Sequence, residues 1–349
     1  VTCVLANGFA AMIDIPGLNY RAHRYKEAYD QLPQNLILGS ETASTVSSRG
    51  VYKFPVEDKK SATYDDHQCS SYDVEACSWS NIPDEDFALA DDNHWTIGQF
   101  VWTGFDYLGE PSPYDTNAWP NHSSMFGIID LASIPKDRYY LYRSVWNKKA
   151  ETLHILPHWT WPGREGKVTP VFVYTNHPTA ELFINGKSYG KQSKNNSSLK
   201  NRYRLRWMDA VYEPGEIKVV AYNKDGKAVA EKIVRTAGKP HHIELVSNRN
   251  ELTADGKDLA YITVKVVDKD GNLCPADSRQ INFSVKGAGK YRAAANGDPT
   301  NLEQFHLPKM HAFNGMLTAI VQSGETAGEI VLTAKASGVK AGNIRIQTK

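Results

Sequence analysis

The chain has little cysteine, no surplus of charge and no long apolar run. Cys3, Cys69, Cys77 and Cys274 are the only four cysteines in 349 residues, and they include no C-x-x-C pair. A structural zinc site is therefore not expected. Cys69 and Cys77 lie close enough in sequence to bridge across a short loop, but two free thiols is the preferred reading. Forty Lys and Arg against 39 Asp and Glu leave a net charge of +1, which removes the electrostatic case for nucleic acid or an anionic membrane as partner. Nothing approaches 18 consecutive apolar residues, so no membrane span is expected. The first residues, "VTCVLANGFAAMIDIPGLNY", lack a basic n-region and a small-residue cleavage site. They do not read as a signal peptide and begin as though already inside a domain. "NKDGK" and "DKDGN" lack the glutamate and spacing of a calcium loop and are read as Asp-Gly turns. His67, His94 and His122 show no partner spacing and are read as loop residues.

What is present is a normal hydrophobic fraction, 41%, and enough chain for two or three domains. Seven of the eight tryptophans fall between residues 79 and 161. Such a concentration suits a dense core or a carbohydrate site, where indole faces pack on the apolar faces of sugar rings.

Three regions separate by pattern. In the first, "AMIDIPGLNY" is strand-like. "RAHRYKEAYDQLP" then places Tyr25, Ala28, Tyr29 and Leu32 on one helical face that stops at Pro33, and "NLILG" follows as a second strand. Strand, helix, strand at this spacing predicts a β/α unit of a parallel sheet. After a polar stretch from 51 to 90 comes the apolar strand "TIGQFVWTGFDY", and "PKDRYYLYRSVWNKK" predicts a second helix. From about residue 152 the period changes to two. "KVTPVFVYTN", "AELFINGKSYG" and "EIKVVAYNKDGKAVAEKIV" predict a β-sandwich with hairpin turns at Asn185-Gly186 and Asp225-Gly226. "TAGKPHH" reads as a linker to a second all-β unit. The expected fold class is multidomain α/β plus all-β, with units at 1–150, 151–237 and 238–349.

In parallel α/β architectures the active groups sit at the C-terminal ends of strands. Three such ends can be read: Asn19-Tyr20, Glu41, and the stretch from Trp102 to Tyr107. A carboxylate, a phenol and an indole at one mouth would form a sugar site, with the carboxylate able to attack an anomeric carbon. Gly39, Ser40, Thr42, Ala43 and Ser44 flank Glu41 with small side chains, which is expected to let a pyranose approach it. Against this stand plainer readings: a solvated strand-end glutamate, a rim tyrosine and a core tryptophan.

"GLNY", "GSETAS", "GQFVWTGFDYLGEPSPY", "FGIIDLASIPKDRYYLYRSVW" and "LHILPHWTW", in this order and spacing, resemble the C-terminal part of β-galactosidase-like enzymes of glycoside hydrolase family 2. The resemblance covers essentially the whole chain. It implies that residues 1–150 are the second half of a catalytic (β/α)8 TIM barrel and that two immunoglobulin-like β-sandwiches follow. It also implies roles. Glu41 matches the catalytic nucleophile, Tyr20 the tyrosine that orients it, and Trp102 the floor of the terminal-sugar subsite. Asn19, Asp106, Glu110 and Trp119 are expected among the substrate-binding residues, with Asp106 also holding the loop and Tyr114 near the leaving group.

One departure from the family pattern bears on mechanism. A retaining glycosidase needs a second carboxylate as acid/base, which in this family follows an asparagine on an earlier strand. No Asn-Glu precedes Glu41 here. The expectation is a retaining exo-β-glycosidase component lacking its proton donor, inactive or nearly so alone, which associates with the missing N-terminal half or with itself. The expected substrate is an oligosaccharide or β-galactoside. β-Glucuronides or β-mannosides on the same mechanism stay open, as does a non-catalytic carbohydrate-binding or adhesive module. No cofactor is evident in the chain, and a metal supplied by the missing half stays open. The resemblance suggests the periplasm or cell surface.

Overall fold

The computed structural model describes residues 2–349. The chain is mostly β, with few helices. Near its start the strands Gly17–Asn19, Ile37–Thr42 and Thr96–Val101 pair in parallel, with Ile37–Thr42 in the centre. A short 3-10 turn and the helix Tyr25–Gln31 connect the first two strands and end before Pro33. Tyr25 and Ala28 of that helix are buried against Leu18, Ile37 and Trp95. The predicted strand–helix–strand unit is therefore formed. Three short parallel strands do not by themselves establish the predicted half-barrel.

The stretch from 51 to 90, read as merely polar, is largely buried in its second half, from Gln68 to Ala88. It holds the helix Pro83–Asp92 and the buried residues Tyr72, Asp73, Glu75, Asp84 and Asp86. Charged side chains enter the interior here because distant cations meet them. Arg138, on the helix Asp137–Trp146, donates Nε to Asp73 Oδ1 at 2.9 Å and Nη2 to Ser47 Oγ at 2.7 Å. Its Nη1 donates to the Thr45 and Phe126 carbonyls. Arg204 donates Nε to Asp84 Oδ1 at 2.9 Å and Nη1 to the carbonyls of Tyr72 and Asp73. Buried ions are tolerated only with such partners.

Residues 153–235 form two antiparallel sheets, Leu205–Trp207 / Val171–Thr175 / Leu153–Leu156 and Ala228–Arg235 / Glu216–Tyr222 / Thr179–Ile184 / Lys187–Ser193. They enclose Trp159, Val171, Leu182, Trp207 and Val219. The Asn185-Gly186 turn has positive φ at both residues, 47° and 80°, as a tight hairpin requires. Residues 242–348 form a four-stranded and a five-stranded sheet around Ile262, Val264, Phe283, Leu317 and Leu332.

These β units are not loosely tethered. Tyr174 Oη donates to Asp73 at 2.9 Å, and Tyr72 Oη donates to the Pro170 carbonyl at 2.6 Å. From the last unit, Pro299 accepts from His122 N–H at 3.0 Å and Asp298 accepts from Gln68 Nε2 at 2.9 Å. Arg49 pairs with Asp130 at 2.6 Å and donates to the Asn296 carbonyl at 2.7 Å. All four cysteines are free, as read from the sequence.

Candidate active site

Glu41 lies on the central parallel strand, near its C-terminal end. The adjoining strand ends at Asn19, and Tyr20 follows it with φ 53°. This left-handed turn brings two side chains back over the carboxylate. Tyr20 Oη donates to Glu41 Oε1 at 2.6 Å, and Asn19 Nδ2 donates to Oε2 at 2.7 Å. Ser40 Oγ donates to Asn19 Oδ1 at 2.8 Å, which fixes the amide with its NH2 toward the glutamate. Ser44 Oγ donates to the Tyr20 hydroxyl at 2.6 Å, and the Trp79 indole lies nearby. Burial, then the hydrogen bond to Glu41, pushes the Tyr20 phenol well above its ordinary pKa. It therefore stays protonated and donating at neutral pH.

Both oxygens of Glu41 are thus held by neutral donors. Among the described residues the carboxylate forms no ion pair with a cation. An aligned carboxylate without a counter-ion keeps its electron density available.

On the other flank, Trp102 N–H donates to the Thr42 carbonyl at 2.8 Å, and its indole donates to Tyr107 Oη at 3.1 Å. Tyr107 lies edge-on to the indole at 5.9 Å and donates to Glu110. Burial first, then Glu110, and more weakly Glu41, raise the Tyr107 pKa, so Tyr107 lies within the field of both carboxylates.

The structure brings together Asn19, Tyr20 and Glu41, and joins Trp102 to Glu110 through Tyr107. Trp119 is 73% exposed on the loop beyond. Two expectations fail. Asp106 is not placed to touch a sugar: it is buried, Lys136 pairs with it at 2.6 Å, and its Oδ1 accepts from Gly127 N–H at 2.7 Å. It holds the loop only. Tyr114 is likewise buried, with its hydroxyl donating to the Gln68 carbonyl at 2.9 Å. The small neighbours of Glu41 also have a different cause. Thr42, Ala43 and Ser44 are buried, and a Cβ on Gly39 would crowd Thr42, Gln99 and Tyr25. Their size serves strand packing rather than sugar access. Trp79 was missed, since only a long loop connection places it here, while Ser44 and Tyr107 were read only as a small neighbour of Glu41 and the end of a strand stretch. The clustering of tryptophans was the one signal for Trp79.

Comparison with known proteins agrees with this geometry. Residues 243–345 match the glycoside hydrolase family 2 C-terminal domain 5, and residues 166–230 match a domain of unknown function, DUF4982. The protein named beta-galactosidase BoGH2A of Bacteroides ovatus is 39% identical over 97% of this chain and 40% of its own length. A putative beta-glucuronidase of Formosa agariphila is 36% identical over 60% of this chain and 20% of its own length. The crystal structure of a beta-glycosidase from Bacteroides vulgatus superposes with a TM-score of 0.83 at 30% identity, over 96% of this chain and 45% of that one. Fold and matches resemble the C-terminal domains of multidomain glycosidases. The chain carries a glycoside hydrolase family 2 C-terminal domain and is similar over nearly its whole length to a named beta-galactosidase, and it spans less than half the length of these relatives.

Proposed function

We propose that this chain is the nucleophile-bearing part of a retaining exo-β-glycosidase of β-galactosidase type. In this reading, Glu41 attacks the anomeric carbon of a terminal β-linked sugar and the bond to the leaving oxygen breaks. A glycosyl ester then forms on Glu41 and is hydrolysed by water. The observation that carries the reading is the pair of neutral donors, Tyr20 and Asn19, one on each oxygen of Glu41. They orient the carboxylate without neutralising it. Trp102, partly buried and fixed by Tyr107, supplies an aromatic wall for the sugar, with Glu110 and Trp119 further out.

The proton for the departing alcohol comes, in this proposal, from a carboxylate on polypeptide outside these 349 residues. Residues 1–150 then serve as half of a (β/α)8 barrel, and 151–237 and 238–349 as two immunoglobulin-like sandwiches that support it. The exposed apolar side chains Phe9, Met12, Ile15, Ile97 and Phe100 beside the parallel sheet support packing against further chain. No helix among the described residues is long and apolar enough to cross a membrane.

A second reading, a β-glucuronide as substrate, draws on the name of the Formosa relative. Incubating the protein, joined to the barrel half that precedes it, with 2-deoxy-2-fluoro-β-galactosyl fluoride and with its glucuronyl counterpart tests both. The reading expects one of them to label the peptide containing Glu41. Labelling elsewhere, or of Glu41→Gln, refutes it.

A further inference from the structure

A polar pocket of about 350 Å3 opens at the residues that follow Tyr20, and Arg21, His23, Lys60, Trp79 and Glu85 line it. We propose that it binds the acidic group, carboxylate or sulfate, of a charged glycan whose terminal sugar occupies the Glu41 site. The proposal rests on Glu41 marking a glycosidase site.

Three observations carry it. First, Trp79 lines the pocket, is 47% exposed and lies near the Tyr20 hydroxyl, so one aromatic side chain belongs to both the nucleophile's surroundings and the pocket. An exposed indole is suited to pack on a sugar ring. Second, the cations outnumber the acid. Among the described residues Arg21, His23 and Lys60 form no ion pair, although the adjacent helix pairs its own charges, Lys26 with Asp30 and Arg24 with Glu27. Glu85 is the single carboxylate lining the pocket and lies in the field of Lys60, with Asp58 beyond it, and Arg21 and Lys60 against it leave the lining with a positive balance in a chain of net charge only +1. Third, the floor is rigid. Ser80 Oγ accepts from Ser44 N–H at 2.7 Å, and Asn81 Nδ2 donates to Asp86 at 2.7 Å. The cations therefore stand over a fixed surface, and little ordering is needed to engage an anion.

Arg21 offers a planar fork and Lys60 a point charge, the two donor types used for carboxylates and sulfates. The terminal sugar and the unit beyond it could each bring the anion, and the probes separate these sources.

Titration calorimetry on the 349-residue chain with lactose, lactobionate (acid beyond the scissile bond), methyl β-glucuronide (acid in the terminal sugar) and lactose 6-sulfate tests the pocket. At least one anionic probe is expected to bind about tenfold more tightly than lactose, the worth of one charge-assisted contact. Arg21→Ala/Lys60→Ala is expected to abolish that preference, and Arg21→Lys/Lys60→Arg to retain it. Equal binding of neutral and charged probes, no binding of any anionic probe, or a preference that survives the alanine pair overturns the proposal. Fluoro-sugar labelling of the unsubstituted, completed protein reports on Glu41 separately. Labelling without charge preference removes the pocket alone, whereas charge preference without labelling removes the catalytic reading.

Discussion

Tyr20 and Glu41 are joined twice: the phenol donates to Oε1 at 2.6 Å, and the Tyr20 backbone N–H donates to the Glu41 carbonyl at 2.7 Å. The second contact fixes where the tyrosine stands, and the first fixes where the carboxylate points.

Tyr20→Phe removes only the first contact. A hydrogen bond to a charged group contributes about 1.5–3 kcal/mol, so kcat/KM of the completed enzyme is expected to fall roughly 10- to 100-fold. The melting temperature should barely move, because the backbone contact remains. Unchanged kcat/KM would show that the phenol does not orient Glu41.

Arg138 is bound from four directions behind the site, by Asp73, Thr45, Ser47 and Phe126. Arg138→Met leaves Asp73 buried and without this partner. The expected cost is about 3–5 kcal/mol, measured by urea unfolding, with Asp73→Asn/Arg138→Met recovering part of it. A loss under about 1 kcal/mol would mean that water replaces the guanidinium.

Asp86 is buried under the pocket floor, and desolvation raises its pKa to about 7 against the hydrogen bond from Asn81. Its folded pKa lies above the unfolded value of about 3.9. The folded state then binds the proton more tightly, and this residue's contribution to stability falls as pH rises from about 4 to 7. Buried His158, lowered by desolvation to about 4, acts in the opposite sense, so the useful quantity is the difference between variant and parent. Asp86→Asn is expected to gain stability relative to the parent as pH rises through that window. A difference independent of pH would contradict the assignment.

Gly297 has φ 78°, and a Cβ there would run into Asp130, the partner of Arg49. Gly297→Ala should cost about 1–2 kcal/mol from backbone conformation alone. It should also loosen the seam where Pro299 holds His122. Faster hydrogen exchange at His122 and Gly109, whose N–H donates to the His122 carbonyl, is the expected signature. Unchanged exchange would show that the last sandwich does not brace this loop.

The part of the site set by local sequence was legible. Asn19, Tyr20 and Glu41 sit at the ends of adjacent parallel strands, and an apolar run that stops at a polar group marks such ends. Both helices around Tyr25 and Tyr142 were visible in their apolar spacing. The rest depended on partners far along the chain. The acids between 73 and 86 lay in a stretch read only as polar, because Arg138 lies 65 residues beyond Asp73, and Arg204 lies 120 beyond Asp84. Asp106 was assigned to the sugar for a similar reason: Lys136, which buries it, is visible only once the helix Asp137–Trp146 is docked. Trp79 entered the site on that same buried loop.

The most direct test of Glu41 is chemical rescue. In the completed enzyme, Glu41→Gly should hydrolyse an activated aryl β-galactoside very slowly. Added azide should restore turnover by taking the vacated place of the nucleophile, and the product should be the α-galactosyl azide. A β-galactosyl azide would assign Glu41 as the acid/base instead. Undiminished hydrolysis without azide would remove it from the chemistry altogether.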